Sequence, residues 1–128
     1  MQTSGLNHVI LTVLNMERSR AFYGDLLGFL ITVIEEDPDK SFLFTCGGVQ
    51  FFFFPSRRSL PNDRFSEFRI GLDHLSFTAP SREALQELAD KLIAAGVDTK
   101  GVEQFRPTGN WYVAFRDPDN IQLEYWLP

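Results

Sequence analysis

Apolar and polar residues alternate along two short stretches that carry the same pattern. Residues 6–13 read Leu-Asn-His-Val-Ile-Leu-Thr-Val and residues 72–79 read Leu-Asp-His-Leu-Ser-Phe-Thr-Ala. Alternation with period two marks a half-buried strand, so each stretch predicts a strand with a histidine at its third position. Behind each strand the apolar spacing lengthens to that of a helix. Asn15 can cap a helix from Met16 to Leu27 that ends at Gly28, and Ser81 can cap one from Arg82 to Ala95 that ends at Gly96. Three β-rich stretches then follow in each half: Phe29–Glu35, Ser41–Cys46 and Val49–Phe54, then Val102–Phe105, Trp111–Arg116 and Ile121–Trp126. The chain is therefore expected to be α+β, with two tandem βαβββ modules over residues 5–55 and 71–128. Residues 56–70 form the expected linker, with Pro61-Asn62-Asp63 as its turn signal.

Strand phase assigns each side chain to one of two faces. In the first strand Val9, Leu11 and Val13 form the helix-packed set, which leaves His8, Ile10 and Thr12 on the other side; in its repeat, Leu75, Phe77 and Ala79 pack and His74, Ser76 and Thr78 do not. The closing strands superpose as well, Val49-Gln50-Phe51-Phe52 over Ile121-Gln122-Leu123-Glu124, so Phe52 stands where the second module has Glu124. By phase, Gln50, Phe52 and Phe54 join the face of His8, while Gln122, Glu124, Trp126, Tyr112, Ala114 and Arg116 join that of His74. A cavity face between the modules is the expectation.

A lone strand histidine is more often a core or surface residue than a ligand. Here the chain has only two histidines, at equivalent repeat positions, and a carboxylate shares their face. A carboxylate buried among apolar strands is costly unless it is paired or metal-bound. Together these features point to one divalent ion held by His8, His74 and Glu124, and histidine with carboxylate suits Fe2+, Mn2+, Zn2+, Ni2+ or Co2+. Tyr112 is then the best remaining proton donor on the cavity face, with an amphipathic wall residue as its plainer role. Arg116 and Arg69 are candidates to orient an anionic group, the alternative for Arg116 being an ion pair within the Asp117-Pro118-Asp119 turn. Phe52 and Phe54 supply an apolar substrate-facing wall.

Composition narrows the partners. At 128 residues and 44% hydrophobic, the chain is long enough for one packed domain. A net charge of −5 denies it the broad basic face that nucleic acid requires. The arginines at 57, 58, 64 and 69 are interrupted by Asp63 and Glu67, as in a solvated loop. The single cysteine, Cys46, excludes an intramolecular disulfide and a cysteine-based zinc site. That composition suits a reducing cytoplasm, and residues 1–7 do not resemble a signal peptide. No stretch is long and apolar enough for a transmembrane helix, because the longest apolar segment, 42–55, is broken by Gly47-Gly48.

With His8, His74 and Glu124 in these positions, the sequence resembles the vicinal oxygen chelate superfamily, the glyoxalase, extradiol dioxygenase and fosfomycin-resistance group. The segments that carry the resemblance are residues 5–13, residues 21–29 (Ala-Phe-Tyr-Gly-Asp-Leu-Leu-Gly-Phe) and residues 115–125 (Phe-Arg-Asp-Pro-Asp-Asn-Ile-Gln-Leu-Glu-Tyr), and it covers nearly the whole chain. It implies curved mixed sheets enclosing a metal, with oxygens of a small-molecule substrate completing the coordination. Lyase, isomerase, ring-opening or oxygenase chemistry would all be compatible with it. The glyoxalase I branch uses a fourth ligand at the position of Phe52, to which only Gln50 offers a neighbouring donor here. The extradiol enzymes use a further histidine, which this chain lacks, and the fosfomycin enzymes a threonine where Ile10 stands. A metal-free protein that sequesters a small molecule, of the bleomycin-resistance type, is the alternative, and the presence of all three ligands favours an enzyme. A symmetric homodimer is expected, because half-open sheets leave edges and apolar surface for a twofold partner to cover. The linker is also long enough for His8 and His74 of one site to come from different subunits.

Overall fold

A computed structural model describes all residues from Met1 to Pro128. The chain divides into two units, Met1–Pro61 and Asn62–Pro128. In the first, strand β1 (His8–Val13) leads into helix α1 (Met16–Arg20), followed by β2 (Thr32–Val33), β3 (Phe42–Cys46) and β4 (Val49–Pro55). In the second, β5 (Leu75–Thr78) leads into α2 (Arg82–Ala94), then β6 (Thr99–Phe105), β7 (Asn110–Arg116) and β8 (Gln122–Leu127). The sheets have orders β1-β4-β3-β2 and β5-β8-β7-β6. In each the first and last strands are parallel and the other pairs antiparallel. Two βαβββ modules of mixed sheet are therefore present, as the sequence repeat requires.

The internal alignment is reproduced by the strand register. Ile10 lies opposite Phe52 in the first sheet, and Ser76 lies opposite Glu124 in the second. These are the same two places of the repeat, filled by an apolar pair in one module and a hydrogen-bonded polar pair in the other.

Burial follows strand phase. Leu11, Val13, Phe51 and Phe53 are buried beneath Phe22 and Tyr23, together with Phe42 and Phe44 of β3. In the second unit Leu85, Ala89 and Leu92 of α2 are fully buried, as are Val113 and Leu123. Asn15 and Ser81 both act as the expected caps, accepting from the backbone N–H of Arg18 and Ala84.

Four local features depart from the sequence expectation, the first being that the stretch Phe29–Glu35 is strand only at Thr32–Val33. The histidines sit earlier than the third strand position: His8 opens β1, and His74 immediately precedes β5. The first helix does not run as one α-helix to Leu27. Residues Ala21–Leu26 form a π-helical turn, in which Leu27 N–H donates to Phe22 C=O. Gly24 belongs to that turn and lies so close to Ile31 that a β-carbon would stand 2.8 Å from Ile31 Cγ1. Finally, β6 begins at Thr99 and carries a bulge. Thr99 lies opposite Phe115 but Val102 opposite Val113, so β6 has one extra residue, accommodated by Gly101 at φ +77°. A one-residue slip exchanges the faces of a strand. The bulge therefore puts Glu103 opposite Tyr112, where an unbroken ladder would have set it opposite Trp111.

The segment expected to link the modules is attached to the second unit over part of its length. Phe65 N–H donates to Asp119 C=O, Asn120 Nδ2 donates to Phe65 C=O, and Arg64 donates to Asn120 Oδ1.

Candidate active site

The face of the second sheet opposite α2 lines a cavity of about 540 Å3, a volume suited to a small organic ligand. Two rows of side chains cross it. One runs Ser76, Glu124, Ala114 and the other Thr78, Trp126, Tyr112, Glu103. Because Ala114 is short, the first row leaves space beside the Glu124 carboxylate.

Glu124 is an enclosed acidic group of this face, its side chain only 14% exposed. It has no lysine or arginine partner. Its Oε1 accepts from the Ser76 hydroxyl at 2.7 Å and lies 4.0 Å from His74 Nε2. The other ring nitrogen of His74 is engaged: Nδ1 lies 2.6 Å from Asp73 Oδ1. An ionised carboxylate only accepts, so Nδ1 carries a proton and Nε2 is the ring nitrogen turned toward Glu124. The first unit repeats this arrangement, with His8 Nδ1 donating to Asn7 Oδ1 at 2.7 Å. A side-chain oxygen that fixes ring orientation and tautomer is the usual support of a metal-ligating histidine.

His74 and Glu124 thus come together within one unit, while His8 belongs to the other. No cluster of three or more His, Cys, Asp or Glu side chains is gathered at metal-holding distances. The pair itself fits a divalent ion. Nitrogen and oxygen ligands at about 2.0–2.2 Å from a shared ion stand about 3–4 Å apart, and the 4.0 Å separation lies at the wide end of that span.

Tyr112 and Arg116 also line the cavity. Burial, with Glu103 and Glu124 nearby, raises the pKa of the Tyr112 phenol above its ordinary value of 10.0. The hydroxyl is therefore a weaker acid than free tyrosine and stays protonated at neutral pH. Arg116 is not paired within the Asp117-Pro118-Asp119 turn. Its two terminal nitrogens donate to both oxygens of Glu67, at 3.0 and 2.6 Å. That bidentate pairing fills the fork an anionic substrate group would use. Arg69 is exposed, and its backbone N–H closes a turn onto Ser66. In the first unit Phe52 and Phe54 stack in parallel with centroids 6.2 Å apart, and the edge of the His8 ring meets Phe52 at 5.9 Å.

The Glu67–Arg116 contact has a consequence for acid stability. Hydrogen bonding to Arg116 lowers the Glu67 pKa from 4.5 to about 2. A carboxylate whose pKa is depressed by folding contributes stability that is fully present above its unfolded value, and that is lost as pH falls through the folded value. The melting temperature should therefore fall between pH 4.5 and about 2, and Glu67→Gln should flatten that part of the profile. Identical acid slopes for parent and variant would show that the pair does not couple to folding.

Residues missed by sequence phase alone are Glu103 and Phe105, which reach the cavity only through the bulge, and the histidine partners Asn7 and Asp73. Gly101 inside a strand pattern was the available signal for the first two. The residue before each histidine, which carries a side-chain oxygen acceptor in both repeats, was the signal for the others.

A family model described as the Glyoxalase/Bleomycin resistance protein/Dioxygenase superfamily matches residues 5–125. The chain belongs to this superfamily. Among its relatives, an uncharacterized protein, YwkD, of Bacillus subtilis (strain 168) is 30% identical, with 98% of each chain covered. The crystal structure of a glyoxylase/bleomycin resistance protein/dioxygenase domain from Frankia sp. EAN1pec superposes with a TM-score of 0.82 at 32% identity, again over 98% of both chains. A lactoylglutathione lyase from Agrobacterium tumefaciens shares the fold, with a TM-score of 0.73 over 99% of this chain and 96% of that one. Its 21% identity makes it a relative in fold only. No helix of the superfamily member described here is long and apolar enough to cross a membrane.

Proposed function

We propose that the protein is a divalent-metal-dependent enzyme of the glyoxalase/dioxygenase superfamily, acting on a small oxygen-bearing molecule. The observation that carries this reading is the pair formed by His74 Nε2 and the enclosed Glu124 carboxylate, each held by a neighbour and neither matched by a lysine or arginine. Two such donors turned toward one another, with the carboxylate enclosed, suit a positively charged ion bound between them. His8, with its ring held in the same way by Asn7, is the proposed third ligand. A bound divalent ion would supply Lewis-acid polarisation of a substrate oxygen. Around it, Ser76 orients the Glu124 carboxylate, Asp73 holds the His74 tautomer, and Tyr112, kept protonated, is positioned to donate a hydrogen bond to a substrate oxygen. The occupied fork of Arg116 argues against a strongly anionic substrate.

The protein is further proposed to act as a homodimer, in which His8 and His74 of one site come from one chain or from two. Elemental analysis of protein purified without added metal tests the first proposal, and about one divalent ion per chain is the expected result. Absence of metal, with no rise in melting temperature on adding Zn2+, Mn2+, Fe2+, Co2+ or Ni2+, would overturn it in favour of metal-free sequestration of a small molecule. Light scattering at micromolar concentration tests the dimer, and a monomeric mass would refute it. Mixing His8→Ala with His74→Ala protein then places the site: metal binding recovers in the mixture only if the ligands come from two chains.

A further inference from the structure

The second row of the cavity describes a ligand more specifically than its first row does. Trp126 lies opposite Tyr112 with the rings stacked, centroids 5.9 Å apart and planes within 20°. Phe105 also meets Trp126, with centroids 5.6 Å apart and planes tilted by 59°. Three aromatic side chains therefore form a continuous wall. At one end of it, opposite Tyr112, stands Glu103, which the bulge at Gly101 turns onto this face and which has no lysine or arginine partner.

The charges around the wall point the same way. Arg116 is neutralised by Glu67, and Lys100 is exposed to solvent. Asp98 on the lining is exposed, as Lys100 is, and Glu124 belongs to the proposed metal site, which leaves Glu103 as the unmatched charge beside the rings. The negative faces of aromatic rings attract a cation placed against them, and a nearby carboxylate adds to that attraction.

We propose that this cavity selects a planar aromatic or conjugated molecule bearing a positively charged nitrogen, its flat body against Trp126 and Tyr112 and its charge at Glu103. The proposal names the substrate class of the metal-dependent reading and rests on that reading only for the end of the ligand nearest Glu124. Glu103 is thereby a specificity-determining residue.

Three probes of similar shape separate charge from stacking: 1-methylquinolinium, 1-methylnaphthalene and 1-naphthoate. Binding is followed by quenching of Trp126 fluorescence in a Trp111→Phe background, with the protein as purified and again after chelation of any metal. The expected order is cation, then neutral compound, then anion, with the cation about fivefold tighter than the neutral probe. Glu103→Gln should remove that preference while leaving metal content unchanged, and Trp126→Ala should weaken all three probes. If naphthoate binds as well as the cation, or if Glu103→Gln keeps the preference, the proposal is overturned. A cation preference in protein that binds no metal would overturn the metal-dependent reading alone. Metal binding without that preference would overturn this inference alone.

Discussion

Replacing Glu124 with alanine is expected to lower divalent-metal affinity by more than about 100-fold, because loss of an outer-shell partner alone commonly costs 10–100-fold and Glu124 is proposed to touch the ion itself. His74→Ala should behave in the same way. Asp73→Ala, which removes only the acceptor that holds His74 Nδ1, should fall in the 10–100-fold range. The graded order is the informative part: if Asp73 and Glu124 have equal effects, the damage lies in folding and not in ligation. Calorimetric titration of each variant with Zn2+ or Mn2+ measures the series, and circular dichroism checks the fold. A Glu124→Ala protein that still holds near-stoichiometric metal would eliminate the assignment. Glu124 is also the place where a stability gain is expected on mutation of the metal-free protein, since an enclosed carboxylate without a cationic partner is a cost that alanine removes.

The architecture was legible because the repeat is written twice. One alternating segment with a histidine predicts a strand weakly, but two, each followed by a capped helix and three β-rich stretches, constrain each other. The register did the same for the site: the alignment of Phe52 with Glu124 was readable from two four-residue segments, and the ladder pairs them with Ile10 and Ser76 at equivalent places. Other features depended on contacts between residues far apart in sequence. Nothing near Arg116 signals that Glu67, 49 residues earlier, will fill its fork, and the acidic turn beside it pointed to a nearer partner. That turn is occupied differently: Asp117 Oδ1 accepts the backbone N–H groups of Asp119 and Ile121. The π-helical turn at Ala21–Leu26 was hidden because its sequence satisfies an α-helical pattern equally well, while Gly24 within it lies too close to Ile31 to admit a β-carbon. Bulges are hidden for a related reason. One extra residue in β6 leaves its composition strand-like while exchanging its faces.

The run Phe51-Phe52-Phe53-Phe54 gives the largest expected effect on stability, and it separates the two faces of one strand. Phe53 is fully buried. Its ring stacks on Phe42 at 4.4 Å with planes 5° apart, and it meets Tyr23 at 4.5 Å. Truncation would leave a cavity bounded by large, rigid rings that cannot close around it. Phe53→Ala should therefore cost about 3–5 kcal/mol, the range for aromatic-to-alanine changes in a packed core. Phe52 is its chain neighbour and has the same composition, but it points to the opposite face, is only half-buried and meets His8 and Phe54. Phe52→Ala should cost about 1 kcal/mol or less, the range for a side chain with little burial to lose. The two variants remove the same atoms from adjacent positions, so differences in unfolded-state hydrophobicity largely cancel. Urea unfolding of both full-length proteins, monitored by circular dichroism, measures the difference directly. Equal losses would mean that Phe52 is covered in solution, as a twofold partner on that face would require, and the midpoint of the parent should then rise with protein concentration. A Phe53→Ala protein as stable as the parent would contradict the strand phase on which the whole assignment of faces rests.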